Sequence, residues 1–163
     1  MAPQSWSVHR EVGLYFNDLR EFGLAAEHLE QAARLFPGDR RIYLAFTADA
    51  AIAAGHFDRT IQMLEPFLMG CAPETDDLDA ILVSQLARAL QGKGDASRAL
   101  EVVNRLPLRR RNLDQPLLFG LCVRALAKLA LGQKADAKRD ADRVYAVDPT
   151  FCMLAEVEQA LAA

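Results

Sequence analysis

The residues that could do chemistry are few, and their spacing argues against most of it. Three histidines, His9, His28 and His56, could ligate a metal, but none has another histidine or a cysteine at metal-motif spacing. Cys122 could act as a nucleophile only beside an activating base that lowers its pKa. No histidine lies near it in sequence, so it reads as an inert thiol. Asp76, Asp77 and Asp79, with Glu74 just before them, could supply a carboxylate pair. Such pairs need an apolar cleft to separate their pKa values. These fall where a loop meets a helix start, and capping with helix-dipole complementarity accounts for them. Gly92-Lys93-Gly94-Asp95 shares residue types with a phosphate loop but lacks the preceding strand and the GxxxxGK[ST] spacing. Arg109-Arg110-Arg111 is the one basic run, and it could contact phosphates or an acidic partner. No aromatic residues interleave with it for base stacking, so it reads as a solvated loop. The sequence therefore predicts no catalytic residue, no metal and no cofactor.

The elements around these residues are helical. The chain has 163 residues, enough for one compact domain or one short solenoid. Its 52% hydrophobic content can build a core, and its 25% charged content keeps a polar surface. Long β-branched runs are missing, which argues against strands. The formal net charge of −3 is not that of a typical nucleic-acid binder. No apolar stretch reaches the roughly 18 residues of a membrane helix. Residues Met1 to Ser5 show neither a basic nor an apolar signal region, so a cytoplasmic location is expected. Cys71, Cys122 and Cys152 are scattered and read as reduced thiols.

Apolar and small residues recur at helical steps in paired segments. In the first pair, His9, Val12, Gly13 and Phe16 occupy one helix (A) and Phe22, Ala25, Leu29 and Ala32 the next (B), with Pro37 as a stop. In the second, Tyr43, Phe46, Thr47 and Ala50 precede Gly55, and Phe57, Ile61 and Leu64 follow it. Pro66 is expected to end or kink that helix, with a loop over Gly70 to Thr75. The third pair places Val83, Leu86, Ala87 and Leu90 before Gly94, and Ala99, Val103 and Leu106 after it, ended by Pro107. The stretch Leu108 to Gln115 is polar and basic and reads as a loop. The fourth starts at Asp114 and Pro116, with Leu121, Ala125 and Leu129 before Gly132 and Ala137, Ala141 and Val144 after it. Phe151, Leu154, Val157 and Leu161 give the tail one apolar face.

These paired segments resemble the tetratricopeptide repeat, a helix-turn-helix unit of about 34 residues. The likeness covers nearly the whole chain. The matched small positions of helix B, Ala25, Thr60, Ala99 and Ala137, are spaced by 35, 39 and 38 residues. Longer loops, and one extra residue near Ala53-Ala54, account for the excess. The family's usual tryptophan is absent, and His9, Tyr43, Val83 and Leu121 stand in its place. A generic array of helical hairpins stays open as the alternative. The resemblance implies an all-α, right-handed solenoid with units over about 6–39, 40–75, 76–113 and 114–149. A capping helix over 150–163 would cover the last apolar face.

In this family helix A lines a concave groove. Carried over by position, the groove residues are Ser7, Arg10, Leu14 and Asn17 in the first unit. They are Arg41, Leu44, Ala48 and Ala51 in the second, and Ile81, Ser84, Arg88 and Gln91 in the third. In the fourth they are Phe119, Cys122, Leu126 and Leu129. Leu14 stands where the carboxylate clamp of heat-shock co-chaperones needs an asparagine, so that ligand is not expected. Arg10, Arg41 and Arg88 are expected along one wall, offering guanidinium forks to a carboxylate. The resemblance thus implies non-catalytic binding of a protein segment with acidic and apolar residues, as an adaptor, scaffold or small chaperone. A type III secretion-type translocator chaperone shares the size and repeat count. A self-associating assembly subunit is the other class.

Overall fold

The apolar periodicity is realised as helices throughout. The computed structural model describes residues 5–69 and 76–163, and among these it has nine helices and no strand. They are α1 (Trp6–Asp18), α2 (Phe22–Leu35), α3 (Arg41–Ala53), α4 (Phe57–Leu68), α5 (Asp77–Gly92), α6 (Ala96–Val103), α7 (Gln115–Ala130), α8 (Lys134–Val147) and α9 (Leu154–Ala162). Odd numbers up to α7 are the A helices, even numbers are the B helices, and α9 is the terminal helix. The loop expected over Gly70 to Thr75 lies outside the described residues. Asp76 does cap α5, accepting from the Asp79 amide at 2.9 Å, and Asp114 caps α7 through the Leu117 amide at 3.1 Å.

All four A–B turns have the same construction. Each A helix is followed by three residues and then its B helix. The middle residue is left-handed in every case: Arg20 at φ 61°, Gly55 at 75°, Gly94 at 91° and Gly132 at 75°. The next amide reaches back five residues, as Glu21 to Phe16, His56 to Ala51, Asp95 to Leu90 and Gln133 to Lys128. This is the Schellman closure, which satisfies a carbonyl that the helix end would strand.

The shared turn corrects two expectations. No extra residue precedes the second turn, so the A positions of that unit move by one. Ala48 stands twelve residues before Thr60, as Gly13 stands twelve before Ala25, and Ala48 and Thr60 are both fully buried. Pro66 does not end its helix either, because α4 runs through it to Leu68. Pro66 and Gln62, whose carbonyl it leaves unpaired, are both exposed, so water can serve that carbonyl. In the third unit α6 stops at Val103, short of Pro107, and Leu106 and Leu108 fold back into the core.

Packing is closest where glycine removes a side chain. A Cβ on Gly13 would lie 2.8 Å from Leu29 Cγ and 3.2 Å from the Leu29 amide nitrogen, so α1 seats directly on α2. The contact falls at Leu29, one turn beyond Ala25. From α3 onward the A helices form one layer, with α3 against α5, α5 against α7 and α7 against α9. Each B helix packs against its own A helix and the next one, while successive B helices make no comparable contact. The stack therefore closes on the A side and spreads on the B side, which makes the A layer the inside of the curve. The tail packs as expected: α9 lies on α7 and α8 and buries Leu154 and Val157.

Candidate functional site

The inner face is built by A-helix side chains that point away from the B layer. The structure brings only some of the sequence-predicted residues onto it. Ala48, Ser84 and Cys122 are completely buried, and Leu44 and Leu126 nearly so. They fill the seams between neighbouring helices, which leaves them no surface for a partner. The shift of one position explains Leu44 and Ala48, and the close A–A packing explains Ser84 and Cys122. Burial also pushes the Cys122 thiol up to about 12, far from a nucleophile's range.

Arg10, Leu14 and Asn17 lie on α1, which does not lie along α3 as α5 does. Leu14 packs on a separate small cluster of Ala25, Ala26, Leu29, Ala50 and Ala51. The start of α1 touches α3 through Trp6, whose ring lies 5.9 Å from that of Tyr43. The first unit therefore does not extend the wall that α3, α5 and α7 form.

The arginines are engaged within the chain. Arg41 pairs with Asp39 at 2.6 Å, Asp76 at 2.7 Å and Asp79 at 3.0 Å, tying the starts of α3 and α5 together. Asp39 first, then Asp79 and Asp76, hold the Arg41 guanidinium even more firmly protonated than usual. Arg88 donates to Gln91 at 2.9 Å and to Glu156 of α9 at 2.5 Å. That pair links α5 to α9, the two helices that pack on either side of α7. Arg10 pairs with its neighbour Glu11. The expected row of free guanidiniums for an acidic partner does not form.

What stays open is centred on the second and third units. With the corrected register, Ile42, Ala45, Asp49 and Ile52 are the α3 residues that match the expected groove positions, and of these Ala45 is buried. Ile42 is 41% exposed, Ile52, Ile81, Gln91, Phe119 and Leu129 are half-buried, and Asp49 is exposed. Asp49 accepts from the Gln85 amide at 2.6 Å, its one hydrogen-bond partner among the described residues, and no cation pairs with it. Gln85 is itself fully buried and also donates to the Ala45 carbonyl at 2.9 Å, so it fixes α5 to α3 beneath the carboxylate. Crowding by helix atoms raises the Asp49 carboxyl above its ordinary range, and the Gln85 bond only partly offsets this. Sequence reasoning missed Asp49 because the second-unit register was off by one. The twelve-residue step back from Thr60 was the signal that could have found it.

No group of three or more His, Cys, Asp or Glu side chains is placed to hold a metal ion among the described residues. No described helix is long and apolar enough to cross a membrane.

No family model matches the sequence, and no curated protein matches it. The fold does have a counterpart among solved structures, a tetratricopeptide repeat protein from Parabacteroides merdae ATCC 43184. The two superpose with a TM-score of 0.64 at 19% sequence identity, over 98% of this chain and 59% of the other. The chain thus spans about three fifths of the length of that protein. At this identity the likeness is one of fold, and it agrees with the shared turns and the layered helices: the chain is an all-α solenoid of the tetratricopeptide-repeat type.

Proposed function

We propose that the chain is a non-catalytic protein-interaction module whose inner face takes a segment of a partner protein between α3 and α7. The observation that carries this reading is Asp49, a carboxylate without a cation, on the α3 face that carries Ile42 and Ile52, with half-buried Ile81 and Phe119 on the next two A helices. A lysine or arginine of the partner would supply the missing charge, and flanking bulky residues would cover the isoleucines and Phe119. This replaces the acidic partner expected from the sequence, because Arg41 and Arg88 are already paired.

Selection from a randomised displayed-peptide library tests the reading. Enriched peptides should carry a basic residue between bulky apolar ones, and Asp49→Asn should abolish their capture. Enrichment of acidic peptides, or capture indifferent to Asp49→Asn, contradicts it. The same variant has a stability signature. A carboxyl whose folded pKa is raised favours folding while protonated, and that contribution is lost as pH rises through the raised value. Asp49→Asn should therefore fold at least as stably as wild type at neutral pH, so lost capture would not reflect unfolding.

One further observation favours self-association as a second reading. An open cleft of about 770 Å³ runs between α8 and α9, lined by Ala135, Ala141, Tyr145, Leu161 and Ala162 together with Lys134, Lys138, Asp142 and Glu158. Sedimentation at several concentrations separates the two readings. A monomer throughout removes the second, and a dimer weakened by Tyr145→Glu supports it.

A further inference from the structure

The basic run Arg109-Arg110-Arg111 is an exposed loop whose backbone is tied down. Leu106 and Leu108 are buried against α7 at Gly120, where an added Cβ would lie 2.7 Å from Leu106 Cδ1 and 3.2 Å from Leu108 Cδ2. Arg143 of α8 clamps the backbone from the other side, donating to the Leu108 carbonyl at 2.6 Å and the Arg110 carbonyl at 3.0 Å. The Arg110 amide also turns back to the Pro107 carbonyl at 3.1 Å. These contacts hold the backbone of 106–110 in one conformation.

The clamped segment borders an open pocket of about 440 Å³ lined by Asn104, Leu106, Pro107, Leu108, Arg109, Arg110 and Arg124. Three arginines and no carboxylate are among its lining residues. Arg124 is itself positioned by Asp140, which is 3% exposed and accepts Nε at 2.8 Å and Nη2 at 2.6 Å. Its third nitrogen, Nη1, has no hydrogen-bond partner among the described residues and is not sealed from solvent. Asp140 also accepts from Lys128 at 2.7 Å. One carboxylate thus answers two cations, and positive charge is left over beside the cavity.

We propose that this cavity is a binding site for a phosphoryl group, held by the Arg109, Arg110 and Arg124 guanidiniums with the Asn104 amide at its edge. A doubly charged tetrahedral oxyanion offers acceptors that the Arg109 and Arg110 guanidiniums and the free Arg124 Nη1 can share, and a lining without a carboxylate favours it over chloride. The site is separate from the inner face. At about 100° per residue, Arg124 projects roughly opposite to Phe119, Cys122, Leu126 and Leu129 on α7. It therefore neither rests on the proposed partner groove nor fails with it.

Titration of the full chain with inorganic phosphate at constant ionic strength, with chloride as the balancing anion, tests this by amide and arginine-Nε NMR shifts. The expected result is saturable shifts confined to residues 104–111 and the Arg124 side chain. Arg109→Ala with Arg110→Ala should weaken binding by roughly ten- to a hundredfold, the scale of charge-assisted hydrogen bonds. Arg124→Lys keeps a cation for Asp140 but removes the free Nη1, and it should weaken phosphate as well. A phosphoserine peptide and its unphosphorylated twin then identify the source. Tighter binding of the phosphopeptide than of free phosphate assigns the site to a modified protein segment, and equal binding assigns it to small phosphates. Shifts that chloride reproduces, binding unchanged in both variants, or no saturation would overturn the proposal.

Discussion

α1 and α7 hold the same place in their units, yet only Gly13 of α1 is fully buried, whereas nine residues of α7 are, from Leu117 to Ala127. The difference comes from neighbours. α7 is enclosed by α5, α6, α8 and α9, while α1 rests mainly on α2. Val8 and Tyr15 of α1, and Leu19 just after it, are more than half exposed. Even the contact between units changes along the chain. α3 meets α2 more extensively than it meets its own partner α4, and a separate alanine-rich cluster fills that junction. A helix pair in a stack is stabilised by what covers it, so the C-terminal end, which has a cap, and the N-terminal end differ in strength despite similar sequence patterns.

The largest expected effect is removal of the cap. Deleting residues 150–163 withdraws Leu154 and Val157, whose burial contributes roughly 3–6 kcal/mol together, and frees Arg88 from Glu156. The truncated chain should melt well below wild type and associate through the uncovered face of α7 and α8. Equal stability as a monomer would show that the two ends do not differ in the way described. Next in size, Leu121→Ala in α7 should cost about 2–5 kcal/mol, because Leu121 is completely buried. Leu14→Ala in α1 should cost clearly less, and chemical denaturation of the two variants measures the gap directly.

Within the weaker end, Gly13→Ala should cost about 1–3 kcal/mol, since the new methyl would press on the Leu29 backbone as well as its side chain. A thermal melt unchanged from wild type would mean α1 does not seat on α2 as described. The smallest effect concerns the turns. Arg20 holds a left-handed conformation that glycine holds in the other three units. Arg20→Gly should stabilise by up to about 1 kcal/mol, the strain relieved being partly offset by glycine's freedom in the unfolded chain. Gly94→Arg, the reverse change in the third unit, should destabilise.

Much of the fold could be read from particular residues. Gly55, Gly94 and Gly132 announced three of the turns, and Phe151, Leu154, Val157 and Leu161 announced the cap. The first turn was harder, because Arg20 gives no local sign of a left-handed conformation and only the hydrogen bonds from Arg20 and Glu21 reveal it. The inner face was less readable. A one-residue shift on α3 exchanges a core alanine for Asp49, and pattern alone had fixed the second unit on Thr47 instead of Ala48. Nor could sequence show that Arg41 reaches Asp79, 38 positions on, or that Arg88 reaches Glu156, 68 positions on. Those pairs decide which charges remain for a partner, and they depend on the stacking of units. Arg109 to Arg111 are exposed, as a solvated loop would be, but no sequence signal shows the Arg143 clamp on the backbone beneath them, which comes from a helix one unit later.

Burial by neighbours sets the strength of each helix pair, and amide hydrogen exchange of the intact chain followed by mass spectrometry tests that most directly. Peptides from α5 and α7 should exchange slowest, those from α9 at an intermediate rate, and those from α1 fastest, despite the regular hydrogen bonds within each helix. Protection of α1 equal to that of α7 would contradict the account, because it would mean that helix pairs in this chain are stable without the neighbours that cover them.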